Sequence, residues 1–311
     1  MPDVSIIVVN WNTRDLLDRC LVSIRSQTGS FQYEVFVVDN GSTDKSASMV
    51  KEKYPEVKLI ANTKNLGFAK ANNQAIKLSQ GRYVLLLNSD TQLFKDTLPN
   101  LVEFMDNHQE AGAVGAKLLN PDYTLQHSIH NFPNLTSAFF SLFLPLYLLG
   151  FIRMSYIKYW DKHDKTKTVD YVSGACLMVR EETIKKVGVL DEDFFMYAEE
   201  ADWCFRIKKA GQKVYFFPEA KLIHYGGGSS LQRGMATRSQ ELVVSGIKFY
   251  KKHHGLFKTN IYITLLVSIS ILRIIIWQGL YFIFWGRLKK SIYERLFLHR
   301  QTVGAIFKEI I

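Results

Sequence analysis

Polar residues suited to catalysis or ligand binding follow short apolar runs at four places in the first 90 residues. Asp39 precedes a Gly-Ser-Thr turn, where a carboxylate can accept hydrogen bonds from a base or ribose while nearby amides face phosphate. The same turn is good helix-capping chemistry, so both interpretations stay open. The four polar segments are Asn10-Trp11-Asn12, Asp39 to Asp44, Asn62 to Gly67 and Asn88-Ser89-Asp90.

Asp90 is the residue type that a hard divalent cation prefers. Magnesium and manganese bind oxygen ligands, often one or two carboxylates together with substrate phosphates. One protein carboxylate and a diphosphate are therefore enough for a metal site. A turn or helix cap before Lys95 and Asp96 is the alternative explanation for an aspartate here.

Six carboxylates lie between Asp191 and Trp203, interleaved with aromatic residues. A helix N-terminus favours acidic residues because of the helix dipole, which explains part of this cluster. The aromatic residues are too apolar for a fully solvated face. A carboxylate held against them would have a raised pKa and could serve as a general base near neutral pH.

His224 precedes a glycine-rich segment, Tyr225 to Ser230. A lone histidine is more often structural, whereas a histidine beside a flexible glycine run is suited to contact a metal ion or a phosphate. The residue pattern by itself leaves both roles open.

The hydrophobic pattern predicts the scaffold that positions these residues. Apolar β-branched runs alternate with segments whose apolar residues recur at helical spacing. This alternation indicates an α/β fold with a mostly parallel sheet flanked by helices, in which ligands bind beyond the carboxyl ends of the strands. The predicted strands are Val4 to Val9, Val35 to Val38, Val57 to Ile60, Tyr83 to Leu87, Ala113 to Leu118, Tyr171 to Val179 and Val214 to Phe217.

Composition narrows the class of protein. The chain has 311 residues, 47% of them hydrophobic, and a formal charge of +10, which suits anionic partners and excludes a disordered or fibrous protein. No nucleic-acid recognition motif is present, so we expect no nucleic acid partner. Cys20, Cys176 and Cys204 predict reduced core residues. The N-terminus lacks a signal-peptide pattern, so we expect a chain that is not exported.

Two apolar segments predict contact with a membrane. Phe139 to Ile152 is too short to span a bilayer, so we expect an in-plane or re-entrant surface, with a buried core helix as the alternative. Ile261 to Trp285 is long enough to span, but Arg273 lies at its centre and basic residues flank both ends. We therefore expect C-terminal amphipathic helices in the plane of the interface, where cations meet anionic lipid.

The motifs, taken in order, resemble those of family 2 glycosyltransferases of the GT-A fold, particularly the bacterial rhamnosyltransferase-like branch that builds surface polysaccharide. Several motifs in the expected order are far more specific than any one of them. They cover about Val4 to Ser230 and read VSIIVVNWN, VVDNGSTD, NLGFAKANN, LLLNSD, VSGACLMVR, FFMYAEEADWCFRIKKAG and IHYGGGSS.

The resemblance implies a donor site that holds a nucleoside-diphosphate sugar. Asp39 would contact the nucleobase, and Asp90 would bind Mg²⁺ or Mn²⁺ at the last position of the family's DxD motif, which here begins with the amide Asn88. His224 would help to hold the metal or the diphosphate. The expected nucleotide-sugar site comprises Asn10, Asn12, Asp39, Asn40, Asn65, Gly67, Asn88, Ser89, Asp90, Ser173 and Gly174.

The resemblance also implies the catalytic base. Glu200 occupies the matching position, but the family has an aspartate there, so Glu199 and Asp202 stay open as alternatives. The implied reaction is a single in-line displacement, in which the base removes a proton from an acceptor hydroxyl and the anomeric configuration inverts.

The same resemblance divides the chain. We expect a GT-A domain over 1–250, with a nucleotide-binding half (1–112) and an acceptor and catalytic half (113–250) that carries an apolar insertion (121–170). We expect a membrane-associated helical region over 251–311, at the cytoplasmic face of the cell membrane. The sequence does not predict an oligomeric state.

The resemblance also suggests a donor and an acceptor. By family branch the leading donor is dTDP-rhamnose, followed by UDP-hexoses, and the acceptor is lipid-linked or a glycan. A catalytically inactive, membrane-associated scaffold of the same fold is an alternative. A nucleotide-sugar oxidoreductase would require GxGxxG after the first strand, where Asn10-Trp11-Asn12 stands instead. A glycoside hydrolase would not need a nucleotide pocket at the strand ends.

Overall fold

The structure is a computed structural model that describes residues 1–141, 163–227, 234–283 and 289–310. The chain forms two compact units, of which the first comprises Met1–Phe132 and Lys162–Gln232 and the second comprises Pro133–Asp161 and Arg233–Ile311. The strands, all in the first unit, are β1 (Val4–Asn10), β2 (Tyr33–Asn40), β3 (Lys58–Asn62), β4 (Tyr83–Asn88), β5 (Thr91–Leu93), β6 (Ala111–Leu119), β7 (Ile129–His130), β8 (Lys167–Thr168), β9 (Tyr171–Val172), β10 (Cys176–Arg180) and β11 (Lys213–His224). The helices of the first unit are α1 (Arg14–Arg25), α2 (Ser46–Lys53), α3 (Phe68–Ile76), α4 (Thr97–Asn107), α6 (Glu181–Val187) and α7 (Glu199–Lys209), and those of the second are α5 (Leu135–Ser141), α8 (Met235–Ile283) and α9 (Lys289–Ile310).

One mixed sheet organises the first unit, with the strand order β3-β2-β1-β4-β10-β6-β11-β5 and β8 paired to β11. Strands β1 to β4 run parallel, as do β6 and β11, while β10 lies antiparallel between β4 and β6. The predicted α/β fold with a mostly parallel sheet is thereby confirmed. Parallel strands bring the ends of β1, β2 and β4 to one edge, which is where the polar segments lie.

The sheet is covered on both faces because alternate strand residues point to opposite sides. Helices α1, α2 and α4 pack on one face, where Ile6 and Val8 of β1 are buried. Helices α3, α6 and α7 pack on the other face, where Ile7 of β1 and Trp203 of α7 are buried. The three cysteines are free and buried, as predicted.

The prediction of one strand over Tyr171 to Val179 is wrong. The segment forms β9 and β10, and the turn between them is closed by hydrogen bonds from the Ala175 N–H to Ser173 Oγ and from the Cys176 N–H to the Ser173 carbonyl. Strand β9 pairs with β7 in a separate two-stranded sheet. The turn leaves half-buried Ser173 and Gly174 outside the strands, just before β10.

The second unit is helical in the described residues. Its C-terminal segment begins at Arg233, earlier than the predicted boundary at 250/251, because α8 runs without interruption from Met235 through residue 250. The unit also includes 133–161 of the predicted insertion. Phe139 to Ser141 lie in α5, and the rest of the apolar segment to Ile152 is outside the described residues. Within the described part of the chain, one helical segment, Thr237–Tyr281, is long and apolar enough to cross a membrane by length and composition.

Candidate active site

A chain of four buried polar side chains links the carboxyl ends of β1, β2 and β4. Asn10 donates from Nδ2 to Asp39 Oδ1 at 3.0 Å and accepts at Oδ1 from the Thr13 hydroxyl at 2.6 Å. Because the single hydroxyl proton of Thr13 is used there, the Ser89 hydroxyl donates to Thr13 Oγ1 at 2.8 Å. The structure thus brings together Asn10, Asp39 and Ser89, which the sequence placed in one site.

The turn after β2 closes onto the segment after β1. Asp39 Oδ2 accepts from the Ser42 N–H at 3.0 Å, and Ser42 Oγ accepts from the Asn12 N–H at 2.9 Å. Asn12 has a left-handed backbone (φ 53°), and its Oδ1 accepts from the Thr43 N–H at 2.7 Å. Each oxygen of Asp39 therefore accepts one protein hydrogen bond and keeps the capacity to accept another.

Asn40 holds the loop after β3 in place. Its Nδ2 donates to Asn65 Oδ1 at 2.9 Å and to the Gly67 carbonyl at 3.1 Å. Its Oδ1 accepts from the Leu66 N–H at 3.0 Å and from Asn62 Nδ2 at 3.2 Å. The amide of Asn40 has thus reached its full hydrogen-bonding capacity, so the structure makes it a positioning residue for the loop.

Gly67 lies where the loop after β3 touches the acidic segment before α7. Its φ is 87°, and a Cβ atom built on it would lie 2.5 Å from the Phe195 carbonyl oxygen. The neighbouring Phe68 N–H donates to that same carbonyl at 2.8 Å. Only glycine combines this backbone conformation with so close an approach.

Asp90 and His224 meet beside the turn after β4. His224 Nε2 lies 3.2 Å from Asp90 Oδ1 and 3.3 Å from Asn88 Nδ2. The pairing of β11 with β5 produces this approach, because it sets His224 opposite Thr91, next to Asp90. The glycine run after His224 is described as far as Gly227.

Gln126 fixes the ring of His224. Gln126 Nε2 donates to Asn120 Oδ1 at 3.0 Å and to the His224 carbonyl at 3.3 Å, which orients its Oε1 toward His224 Nδ1 at 2.6 Å. An amide oxygen accepts only, so Nδ1 of the ring donates to Gln126. Nε2 then lies on the side of Asp90 and Asn88.

This donor set fits a hard divalent cation. Asp90 Oδ1 and His224 Nε2 lie 3.2 Å apart, close enough for one small cation to contact both atoms. Among the described residues no group of three or more His, Cys, Asp and Glu side chains is arranged to hold a metal. Asp90 and His224 would thus supply two ligands, and an anionic ligand would supply others.

Glu200 lies in the first turn of α7, where the helix dipole and backbone N–H groups favour the charged carboxylate. Burial outweighs these effects and raises the pKa of Glu200 to about 7. Within the described structure its buried Oε2 has no hydrogen-bond partner. A carboxylate that is half-protonated near neutral pH and lacks a partner is well suited to accept a proton.

The surroundings of Glu200 combine a small residue with a strained turn. A Cβ atom at Gly174 would lie 3.7 Å from the Cβ of Glu200 and 3.7 Å from a ring carbon of Phe68. Immediately before the helix, Tyr197 and Ala198 both adopt left-handed backbone conformations, with φ of 68° and 65°. Such strain in two successive non-glycine residues concentrates at functional sites.

The other two candidates for the base differ from Glu200. Asp202 is fully buried, and its Oδ2 accepts from Arg206 Nε at 2.8 Å. Arg206 also donates to the Val187 and Val189 carbonyls, so the pair ties α7 to the end of α6. Glu199 is buried in the same helical turn. The structure therefore gives Asp202 a clear structural partner and leaves Glu200 with an oxygen that has none.

Sequence reasoning missed Thr13, Ser42 and Gln126 as parts of the site. Thr13 precedes α1 as expected for an N-cap, yet its hydroxyl makes no capping hydrogen bond and instead bridges Asn10 and Ser89. Gln126 contacts His224 across 98 residues of sequence, and no motif surrounds it. Thr13 could have been found from its position directly after Asn10-Trp11-Asn12, the polar segment at the end of β1.

Comparison with solved structures defines the class of fold. The structure superimposes on a Pyrobaculum calidifontis mannosyltransferase solved with GDP-Man and Mn²⁺ (TM-score 0.57, 18% identity, 99% of this chain and 87% of that one). It also superimposes on TarS residues 1–349 from S. aureus (TM-score 0.53, 16% identity, 99% and 92%). The fold is that of the GT-A glycosyltransferases.

Comparison of sequences defines the family. The sequence profile named "Glycosyl transferase family 2" matches residues 5–188, so the chain belongs to that family and is a glycosyltransferase. A Mycobacterium tuberculosis N-acetylglucosaminyl-diphospho-decaprenol L-rhamnosyltransferase is 27% identical over 254 residues, 74% of this chain and 78% of the relative. Rhamnosyltransferase WbbL of Escherichia coli K12 is 24% identical over 71% of this chain and 83% of its own. The resemblance to the rhamnosyltransferase-like branch is confirmed.

Gly67→Ala is expected to lower the free energy of unfolding by about 3 kcal/mol, because the new methyl group meets the Phe195 carbonyl on a left-handed backbone. Gly174→Ala is the matched control, since its Cβ atom would make ordinary contacts at 3.7 Å. Urea unfolding of both variants measures the difference. Equal stability of the two variants would contradict the close contact at Gly67.

Asp202→Asn is expected to cost about 2 kcal/mol of stability, because the partly exposed Arg206 guanidinium loses its buried charged partner. The folded fraction of this variant should keep its sugar-transfer activity. Thermal unfolding and turnover per folded molecule measure the two effects. Loss of turnover in a stable Asp202→Asn protein would move the catalytic role to Asp202.

Proposed function

We propose that the protein is an inverting, metal-dependent glycosyltransferase that moves a sugar from a nucleoside-diphosphate donor to a lipid-linked or polysaccharide acceptor. The leading donor is dTDP-rhamnose, because two of the relatives are rhamnosyltransferases, and UDP-hexoses are the second choice. The observation that carries the proposal is the buried carboxylate of Glu200, which has a raised pKa and an oxygen without a partner.

Glu200 acts as the general base. Its carboxylate takes the proton of an acceptor hydroxyl, and that oxygen forms a bond to the anomeric carbon while the bond from this carbon to the diphosphate oxygen breaks. The proton ends on Glu200 and the electron pair leaves with the nucleoside diphosphate. One displacement inverts the anomeric configuration, and no residue of the chain needs to form a covalent intermediate.

Asp90 and His224 stabilise the departing diphosphate. With the His224 proton held on Nδ1 by Gln126, Asp90 Oδ1 and His224 Nε2 would hold Mg²⁺ or Mn²⁺. When bound, the ion supplies positive charge to the leaving group. Asn88 lies against the same ring and helps to orient it.

The donor nucleoside binds at the edge defined by β1 and β2. Asp39 accepts hydrogen bonds from the base or ribose with the capacity that Asn10 and Ser42 leave unused. Asn12, held by Thr43, lies at the same edge. Asn40 and Asn65 keep the loop after β3 in position, and Ser173 and Gly174 border the space for sugar and acceptor beside Glu200.

Transfer of the sugar to the acceptor takes place at the cytoplasmic face of the cell membrane. The Mycobacterium tuberculosis relative is named for a decaprenol-linked acceptor, and a lipid-linked acceptor requires an enzyme at a bilayer surface. The apolar, basic second unit supports this location. A role in building surface polysaccharide follows from the same relatives.

Glu200→Gln is expected to reduce transfer about a hundredfold or more, because glutamine accepts no proton. Transfer from dTDP-rhamnose to N-acetylglucosaminyl-diphospho-decaprenol measures the effect, with Glu199→Gln as the matched control in the same helical turn. NMR of the product reports the anomeric configuration. Wild-type turnover in Glu200→Gln, or a product with retained configuration, would contradict the mechanism. Transfer from a UDP-hexose but not from dTDP-rhamnose would make the UDP-hexose the donor.

The pH dependence follows from the raised pKa of Glu200. Wild-type activity should rise as pH increases through about 7, because the base must be ionised. Ionising a buried carboxylate costs stability, so the free energy of unfolding falls as pH rises from the ordinary pKa of 4.5 to the raised pKa of about 7. Glu200→Gln should therefore be more stable than the wild type at pH 8, by up to about 3 kcal/mol, and much less so at pH 5.

A further inference from the structure

The positive charge of the chain is concentrated in its C-terminal part. Residues 233–311 contain 13 Lys and Arg against three Asp and Glu, a difference of +10 that equals the formal charge of the whole chain. Residues 1–232, which contain the candidate active site, are therefore neutral overall. The net positive charge is therefore a property of the C-terminal part rather than of the part that contains the candidate active site.

Helix α8 folds back on itself at Gly255, whose backbone is not helical (φ 76°, ψ 166°). The rings of Tyr250 and Tyr262 stack at 4.1 Å, although a straight helix would separate these residues by about 18 Å. A Cβ atom at Gly246 would lie 3.1 Å from the Tyr262 hydroxyl oxygen. The helix is thus a pair of arms, a first arm over 235–254 and a second arm over 256–283.

Helix α9 packs against both arms. The Arg295 guanidinium lies 4.8 Å from the Trp277 ring centroid on the second arm. Gln240 on the first arm donates to Gln301 on α9 at 3.1 Å. The apolar second arm is therefore flanked by two helices that carry charged residues. These charged residues are Arg238, Glu241, Lys248, Lys251 and Lys252 on the first arm and Glu294, Arg295, Arg300, Lys308 and Glu309 on α9.

One face of the second arm stays exposed and uncharged. Its exposed residues recur at intervals of three or four and extend for about 33 Å along the helix. Phe257 is 79% exposed and Ile275 is 59% exposed. A contiguous row of exposed apolar side chains is typical of an interaction surface. This outer stripe consists of Phe257, Ile261, Thr264, Ser268, Ile271, Ile275 and Gly279.

We propose that the outer stripe lies in the surface of an anionic lipid bilayer, with the second arm parallel to the membrane plane rather than across it. The proposal rests on the proposed function, in which the acceptor is lipid-linked, and it names the surface that reaches the lipid. Exposed Lys251, Lys252 and Lys258 lie beside the break at Gly255 and meet anionic headgroups.

The flanking helices exclude a transmembrane arrangement of the second arm. A helix that crosses the bilayer carries its neighbours into the hydrocarbon, and here both neighbours bear several charged side chains that are costly there. A second copy of the chain is disfavoured as the partner, because two C-terminal parts of high positive charge repel each other. An anionic bilayer attracts the same part of the chain.

Vesicle flotation tests the outer stripe. Wild-type protein should bind vesicles of phosphatidylcholine and phosphatidylglycerol (3:1) and bind pure phosphatidylcholine vesicles weakly, with binding reduced by salt. Ile271→Glu with Ile275→Glu should bind the anionic vesicles at least about tenfold more weakly. The matched control is Leu78→Glu in the first unit, a leucine that is 57% exposed. Its binding should equal that of the wild type.

The same variants separate this proposal from a folding defect and from the proposed function. Far-UV circular dichroism and dTDP binding should match the wild type, because both isoleucines are exposed. Unchanged vesicle binding by the double variant would overturn the proposal, as would a change in oligomeric state alone, which would assign the stripe to a second copy. Vesicle binding without sugar transfer would uphold the surface and count against the proposed function.

Cysteine labelling distinguishes a helix in the membrane plane from one across the membrane. Lys252→Cys precedes the second arm and Glu294→Cys follows it along the chain, and both positions are exposed, whereas the three native cysteines are buried. In sealed inverted membrane vesicles an impermeant maleimide should label both variants. Labelling of Lys252→Cys with protection of Glu294→Cys would show that the second arm crosses the membrane.

Discussion

The buried chain of hydrogen bonds from Asp39 through Asn10 and Thr13 to Ser89 is the constraint on which the rest of the site depends. Buried polar groups must be paired, so these four side chains lock the ends of three parallel strands into one register. That register fixes the turn after β4 and with it the position of Asp90. Because β11 pairs with β5 directly after this turn, His224 reaches Asp90 only when the strand ends are aligned.

Two carboxylates of the acidic segment differ in burial and in hydrogen-bond partners, so that Asp202 stabilises the fold and Glu200 is available to exchange a proton. Asp202 and Glu200 lie in the same turn of α7 and share the same helix dipole. Asp202 faces Arg206 and is neutralised by it, whereas Glu200 lies beside Gly174 and keeps an oxygen without a partner. Desolvation then raises the pKa of Glu200 to about 7. One helical turn thus combines a stabilising ion pair with a carboxylate that can exchange a proton.

Much of the fold and of the strand-end residues could be predicted from sequence, because apolar β-branched runs and helical spacing are local signals. The break between β9 and β10 could not, since it depends on hydrogen bonds made by Ser173. The role of Gln126 is invisible in sequence because it is defined by contact with His224 alone. Glu200 and Asp202 could not be separated by pattern, because Asp202 differs in its contact with Arg206 and Glu200 in its buried oxygen without a partner.

Calorimetric titration of dTDP, UDP, GDP and NAD into the detergent-purified protein, with and without manganese, tests whether the strand ends form a metal-dependent donor site. One nucleoside diphosphate should bind only with manganese, and Asp90→Ala should abolish this binding while thermal unfolding shows a folded protein. Binding that needs no metal and survives in Asp90→Ala would contradict the donor site described around Asp90 and His224. Binding of NAD alone would contradict the transferase assignment of the strand-end site.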